Sequence, residues 1–409
     1  MPTVKSQIGY CTNVHAGTDI ATICSKLEEF AVPIAAEIAN PEERLGVGLW
    51  LPFSAATELS TSNGAAWFAQ WLADRRLYPF TMNGFPFDNF HLPIVKHRVY
   101  RPTWADSKRF DYTLMLARIL AVLQSVSASD PEPTVGSIST LPIGWPSNND
   151  QRSDDVQEIK QAGANLRRLA SELRMIELET GRRLTVAIEP EPGCLLDCCA
   201  DVLAFFESQL PEANHRRYIS VCHDVCHSAV MFEDQTETLR RYGQAGITVG
   251  KVQVSSAIDV PLSELQPLDR ESAIQQLRQF AEDRYLHQTG CRDRDDAFRL
   301  VEDLPQWLSS DEAVFDKHIR IHFHVPIFLE RVGQLRTTRN DIAQCISAIS
   351  SSGSPAFTGH WEIETYAWTV MPAELRTSGL RTDIAHELKW FGEQLGLFSG
   401  KIERQHLND

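Results

Sequence analysis

The chain has no excess of basic residues. Its 39 lysines and arginines stand against 54 aspartates and glutamates, a formal net charge of −15 over 409 residues. Gripping nucleic acid requires a concentrated basic field, so no nucleic-acid partner is expected. Runs approaching the roughly 20 apolar residues of a membrane span are missing, and Met1-Pro2-Thr3-Val4-Lys5 holds no apolar signal core. Neither a membrane span nor a leader is expected. Glycine-rich phosphate loops of the dinucleotide or P-loop type are absent, which removes a nucleotide cofactor from the expectations, and no nucleophile elbow occurs. Repeats and linkers are lacking too; residues 350–355 form only a short polar loop. Cysteine is present, but its count of nine is odd and several lie inside apolar runs. These read as reduced thiols, which places the protein in the cytoplasm.

What is there is a regular alternation. Strand-like runs fall at 8–15, 45–51, 78–82, 134–141, 184–189, 218–224, 247–255, 319–325 and 357–366. Helical spacing covers 18–38, stopped by Asn40-Pro41, and then 65–76, 112–126, 156–179, 200–209, 236–243, 271–283, 340–350 and 383–396. Strands alternating with helices predict an α/β fold of right-handed βαβ units, a (β/α)8 TIM barrel. Nine strand candidates are one too many. The long, charged interval 257–318 reads as an insertion before the last barrel strand, which points to the strand at 319 as the one outside. Residues 1–409 are then one barrel domain carrying that elaboration.

In such a barrel the site is built at the C-terminal ends of the strands. The run Leu184-Thr185-Val186-Ala187-Ile188 ends in Glu189 and Glu191, held between prolines. Other late tips offer His223, Asp224 and His227, then Lys251 and Gln253, then His322 and His324, then Glu362 and Glu364. Earlier tips add Asn13, His15, Asn83 and Trp145. One strand-end carboxylate is most often a helix cap or an ion-pair partner. Three of them, Glu189, Asp224 and Glu364, would repel each other at one mouth without a cation. Oxygen and imidazole donors suit magnesium, manganese, cobalt or zinc, and the sequence leaves the choice open. His322 and His324 alternate with Ile321 and Phe323 and so point to one face of a strand, either as ligands or as donors behind ligands. Cys222, Cys226, Cys194, Cys198 and Cys199 read as small apolar residues before zinc ligands. Trp145 and Phe85 either stack on a substrate or pack at the rim.

Ile188-Glu189-Pro190, Asp224 with His227 three residues on, Lys251-Val252-Gln253 and Ile363-Glu364 resemble the metal-site pattern of xylose-isomerase-like barrels. That group includes sugar isomerases, ketose epimerases and DNA-repair endonucleases. Within it the chain is similar to the EboE type of metabolite traffic protein. The similarity rests on runs such as Tyr10-Cys11-Thr12-Asn13-Val14-His15, Tyr285-Leu286-His287-Gln288, His322-Phe323-His324-Val325-Pro326 and Glu362-Ile363-Glu364-Thr365-Tyr366. The resemblance implies a divalent metal held by Glu189, Asp224, Gln253 and Glu364, with Glu189 and Glu364 as the catalytic pair. It further implies that His15, Asn83, Trp145, Glu191, His227, Lys251, His322 and His324 meet the substrate or orient the ligands. Where epimerases usually offer a histidine this chain has Gln253, a weaker donor, and His322 or His324 is the candidate to supply the imidazole.

The activity so implied is a metal-dependent isomerase or epimerase of a small sugar-like or polyol metabolite, linked to metabolite traffic or biosynthesis. Two alternatives stand beside it: a metal-dependent phosphoester hydrolase drawing on His15, His322 and His324, and a non-catalytic metabolite carrier. A small-molecule metabolite is the expected partner, with a homo-oligomer left open.

Overall fold

Short strands that are apolar on both faces and separated by helices satisfy their backbones by pairing in parallel with one another. The computed structural model describes residues 5–38, 44–61, 63–126, 135–147, 152–372 and 379–397; Met1 to Val4, Asn40-Pro41 and Thr134 lie outside the described residues. The first strands are β1 (Gln7–Cys11), β2 (Leu45–Trp50), β3 (Leu77–Asn83), β4 (Gly136–Thr140), β5 (Leu184–Ile188), β6 (Ile219–Asp224) and β7 (Val249–Val254). Six more follow: β8 (Ile258–Val260), β9 (Thr289–Asp293), β10 (Phe298–Val301), β11 (Asp316–Ile321), β12 (Arg331–Val332) and β13 (Leu335–Thr337). The last is β14 (His360–Ile363). Strands β1 to β7 and β14 close into the expected eight-stranded parallel barrel, in the order β1-β14-β7-β6-β5-β4-β3-β2.

Helices sheathe the barrel because their sequences carry one apolar stripe each. Ser107–Val126 buries Leu116, Leu120 and Leu123, and Arg152–Thr180 buries Leu166, Leu169 and Leu173, at steps of three and four residues. Inside the barrel, Gly9 and Gly46 leave room for the Phe80 ring; a Cβ on either would stand 2.9 or 2.8 Å from it. Nearer the mouth, Lys251 and Glu362 form a fully buried ion pair at 2.5 Å.

Strands β8 to β13 form a separate antiparallel sheet, ordered β10-β9-β11-β8-β13-β12. The strand expected at 319–325 is β11, outside the barrel, and it ends at Ile321. His322 and His324 therefore lie in the loop after a strand and not along one. The sheet spans 258–337, beyond the interval 257–318 read as an insertion. Its apolar face, with Ile258, Val260, Ile319 and Ile321, shares a core with Trp50, Phe90, Val95 and Tyr366. Among the described residues no helix is long and apolar enough to cross a membrane.

Candidate metal centre

Parallel strands in register project equivalent residues the same way, and the register aligns Asp224 with Gln253 and Gln253 with Glu362. Glu364 lies two residues beyond Glu362, and Glu189 follows β5 directly. As a result Glu189, Asp224 and Glu364 each present a carboxylate oxygen, all within 4.8 Å of one another. All three are buried, as is Gln253.

Their hydrogen bonds orient them without satisfying them. Asn13 Nδ2 and Asn83 Nδ2 donate to Glu364 Oε1 at 2.7 and 2.8 Å. Asp224 Oδ1 accepts from the His227 N–H and the Ser255 hydroxyl, both at 2.8 Å, and caps the helix Val225–Val230. Glu189 Oε2, Asp224 Oδ2 and both amide atoms of Gln253 are buried with no hydrogen-bond partner. Buried polar atoms are rarely left so unless something else binds them, and a divalent cation fits this donor set.

Three imidazoles complete the mouth, and their tautomers follow from their partners. His227 Nδ1 donates to Pro190 O at 2.8 Å and His324 Nδ1 donates to Glu364 O at 2.7 Å, because a carbonyl only accepts. His322 Nδ1 lies 2.7 Å from Gln288 Oε1, while Gln288 Nε2 donates to Glu191 Oε1 and Pro192 O. With Nδ1 so engaged, each ring turns its Nε2 inward. His227 Nε2 and His322 Nε2 stand 3.1 Å apart, where two lone pairs repel unless a proton or cation lies between them. Tetrahedral zinc with Zn–N near 2.05 Å separates neighbouring ligand nitrogens by about 3.3 Å. Asp224 with His227 and His324, and Glu191 with His227 and His322, are likewise clustered tightly enough to share an ion. A histidine ligand that anchors its other N–H on a carbonyl is the common arrangement at metal sites.

The electrostatics agree. Burial raises the Glu189 carboxyl well above its usual range, and Glu364 and Asp224 raise it further. Glu364 is raised by burial first, then by Asp224 and Glu362. For Asp224 burial opposes ionisation, but His227, His324 and its two hydrogen bonds outweigh this and hold the carboxyl low. Burial lowers His322 well below the imidazole range and His324 to about 4, so both are neutral lone-pair donors near pH 7.

The mouth opens into a cavity lined by Glu189, Glu191, Glu364, Asn13, Asn83 and Phe85. His227, His322 and His324 line it too. Lys251 lies beneath, tied to Glu362. His15 and Trp145 are placed elsewhere. The barrel strand stops at Cys11 and a 3-10 turn follows, which sends Asn13 into the mouth and His15 outward against Phe30, with Tyr10 OH at 3.2 Å. Trp145 packs on Tyr100 and His97 and is not part of the cavity lining. His223 bonds Gln235 Oε1 at 2.7 Å, away from the mouth. Strand-tip reasoning missed Phe90 and Leu286, which line the cavity from loops, Lys96 and Tyr100, which line it from the 3-10 helix Lys96–Tyr100, and Gln288, which orients His322. Only the run Tyr285-Leu286-His287-Gln288 hinted at Leu286 and Gln288.

No protein-family model matches the sequence, and no curated relative matches it. Among solved structures the chain is similar to a xylose isomerase-like TIM barrel protein from Mycobacterium smegmatis in complex with magnesium. The TM-score is 0.51 at 10% identity, over 96% of this chain and 98% of that one. It is also similar to the IolI protein with a bound zinc atom, at TM-score 0.48 and 10% identity, over 96% and 100% of the two chains. At 10% identity the likeness to the Mycobacterium smegmatis protein shows the fold alone, the eight-stranded parallel TIM barrel seen here.

Proposed function

We propose that this barrel is a divalent-metal-dependent isomerase or epimerase acting on a small metabolite that carries a hydroxyl beside a carbonyl. The observation that carries the reading is the convergence of Glu189, Asp224 and Glu364 with acceptor atoms left unpartnered at the barrel mouth. Glu189, Asp224, Gln253 and Glu364 would hold the cation. A bound divalent cation supplies Lewis-acid polarisation of the carbonyl and its neighbouring hydroxyl. Glu189 and Glu364 face the cavity from separate strands, so one can accept the proton next to the carbonyl and the other return it. Asn13 and Asn83 fix Glu364 by its Oε1, and the cavity wall limits water around the acid-base pair. The resemblance to the EboE type extends the reading to a role in metabolite traffic or biosynthesis.

The three inward Nε2 atoms favour a second reading, metal-assisted phosphoester hydrolysis, because they offer a place for a second cation beside the first. The test is metal analysis of the purified protein and of Glu364→Gln, followed by turnover in deuterated water. One equivalent of divalent cation, reduced in the variant, and exchange of the substrate's α-proton support the isomerase. Phosphate release without exchange supports the hydrolase, and a protein holding no stoichiometric cation in either form overturns both.

A further inference from the structure

The cavity is chemically two-sided. Its inner end holds the carboxylates and imidazoles, whereas the wall running outward from them is apolar. Tyr366 lies tilted beside His324 with ring centroids 4.7 Å apart and continues into Phe90, 5.4 Å away, and the wall goes on through Phe85, Val95, Val99 and Leu286. The hydroxyls of Tyr285 and Tyr100 on this wall are already engaged. Tyr285 OH donates to Phe90 O at 3.2 Å, and Tyr100 OH donates to Glu191 Oε1 at 2.7 Å. Among the described residues Lys96 is the only lysine or arginine lining the cavity, and its ammonium is paired with Asp303. A sugar with a hydroxyl on every carbon would press its distal hydroxyls against these side chains, each losing roughly tenfold in affinity for a hydrogen bond not replaced. A terminal phosphate would find no uncommitted cation.

Resting on the metal-centre reading above, we infer that the substrate is amphipathic, with one pair of adjacent oxygens at the inner end and an apolar body of about one ring against the outer wall. A ring-sized apolar group buried there is worth about tenfold or more in affinity. Free polyols and sugar phosphates are poor ligands by the same reasoning.

The inference is tested by titrating the purified protein, its metal content measured first, with three α-hydroxy acids that share one chelating head. Mandelate carries a phenyl tail, threonate a polyol tail and 3-phosphoglycerate a phosphate tail. Mandelate is expected to bind at least about tenfold more tightly than either of the others by calorimetry. Val99→Ser, at the half-buried part of the wall, is expected to shrink that preference severalfold with metal content unchanged. A flat or reversed order, or no binding by any of the three, in a protein that holds a stoichiometric cation overturns this inference and leaves the proposed function standing. A protein with no cation and no affinity for the shared head overturns the proposed function, and this inference with it.

Discussion

A carboxyl that leaves water must find a cation or take up a proton, and different residues of this chain illustrate each course. Glu362 meets Lys251. Glu387 meets the Thr365 hydroxyl at 2.7 Å and the Ile327 N–H at 3.1 Å, both on Oε1, with no cation beside it among the described residues, and burial pushes it from 4.5 up to about 7. The folded chain therefore holds this proton more tightly than the unfolded chain. The stabilisation is complete below pH 4.5 and is lost as pH rises toward 7. Glu387→Gln keeps an acceptor for both donors and removes the ionisation. It should be more stable than the parent at pH 8 by on the order of 3 kcal/mol, with a much smaller gain at pH 5. Urea midpoints at the two pH values measure this, and an equal gain at both would contradict it. The residue scale also shows where strand-tip reading stops. Asn13 and His15 are two positions apart, which on a strand means the same face, yet the turn over Thr12–Val14 separates them.

Elements carry the next constraint, because a barrel interior is filled by side chains from neighbouring strands. Gly48 on β2 faces Glu362 on β14, and a Cβ there would lie 1.3 Å from Glu362 Oε1. Glu362 cannot yield freely, since it is fully buried and tied to Lys251. Gly48→Ala is thus expected to destabilise the fold by about 2 kcal/mol or more, through overpacking and disturbance of the ion pair. A chemical denaturation midpoint indistinguishable from the parent's would refute it. The same scale explains His322 and His324. Their alternating spacing was legible and suggested one strand face, but β11 pairs antiparallel with β8 and β9 and ends before them. What aims them at the mouth is the pair of anchors Gln288 Oε1 and Glu364 O, groups distant in sequence.

At the scale of the molecule, the barrel mouth gathers Glu189, Glu191, Asp224 and Glu364, and among the described residues no lysine or arginine is ion-paired with them. A cation bound only by the folded chain stabilises it by mass action. Treating the purified protein with a chelator is therefore expected to lower its thermal midpoint, and adding zinc, manganese or magnesium to restore it. His322→Ala should narrow the difference if the imidazoles share in holding the ion. A midpoint indifferent to both treatments in the parent would argue against a metal centre.

The sequence by itself determined the barrel and its acidic mouth. Apolar runs of strand length between helical stripes report local burial, and a carboxylate at the end of such a run is directed to the open end of the barrel. Only the tertiary structure decided which tips converge, that β11 ends before His322, that Gln288 and Pro190 orient two imidazoles, and that the outer wall of the cavity is apolar. Those outcomes depend on contacts between residues far apart in the chain, and no local periodicity records which distant groups will meet.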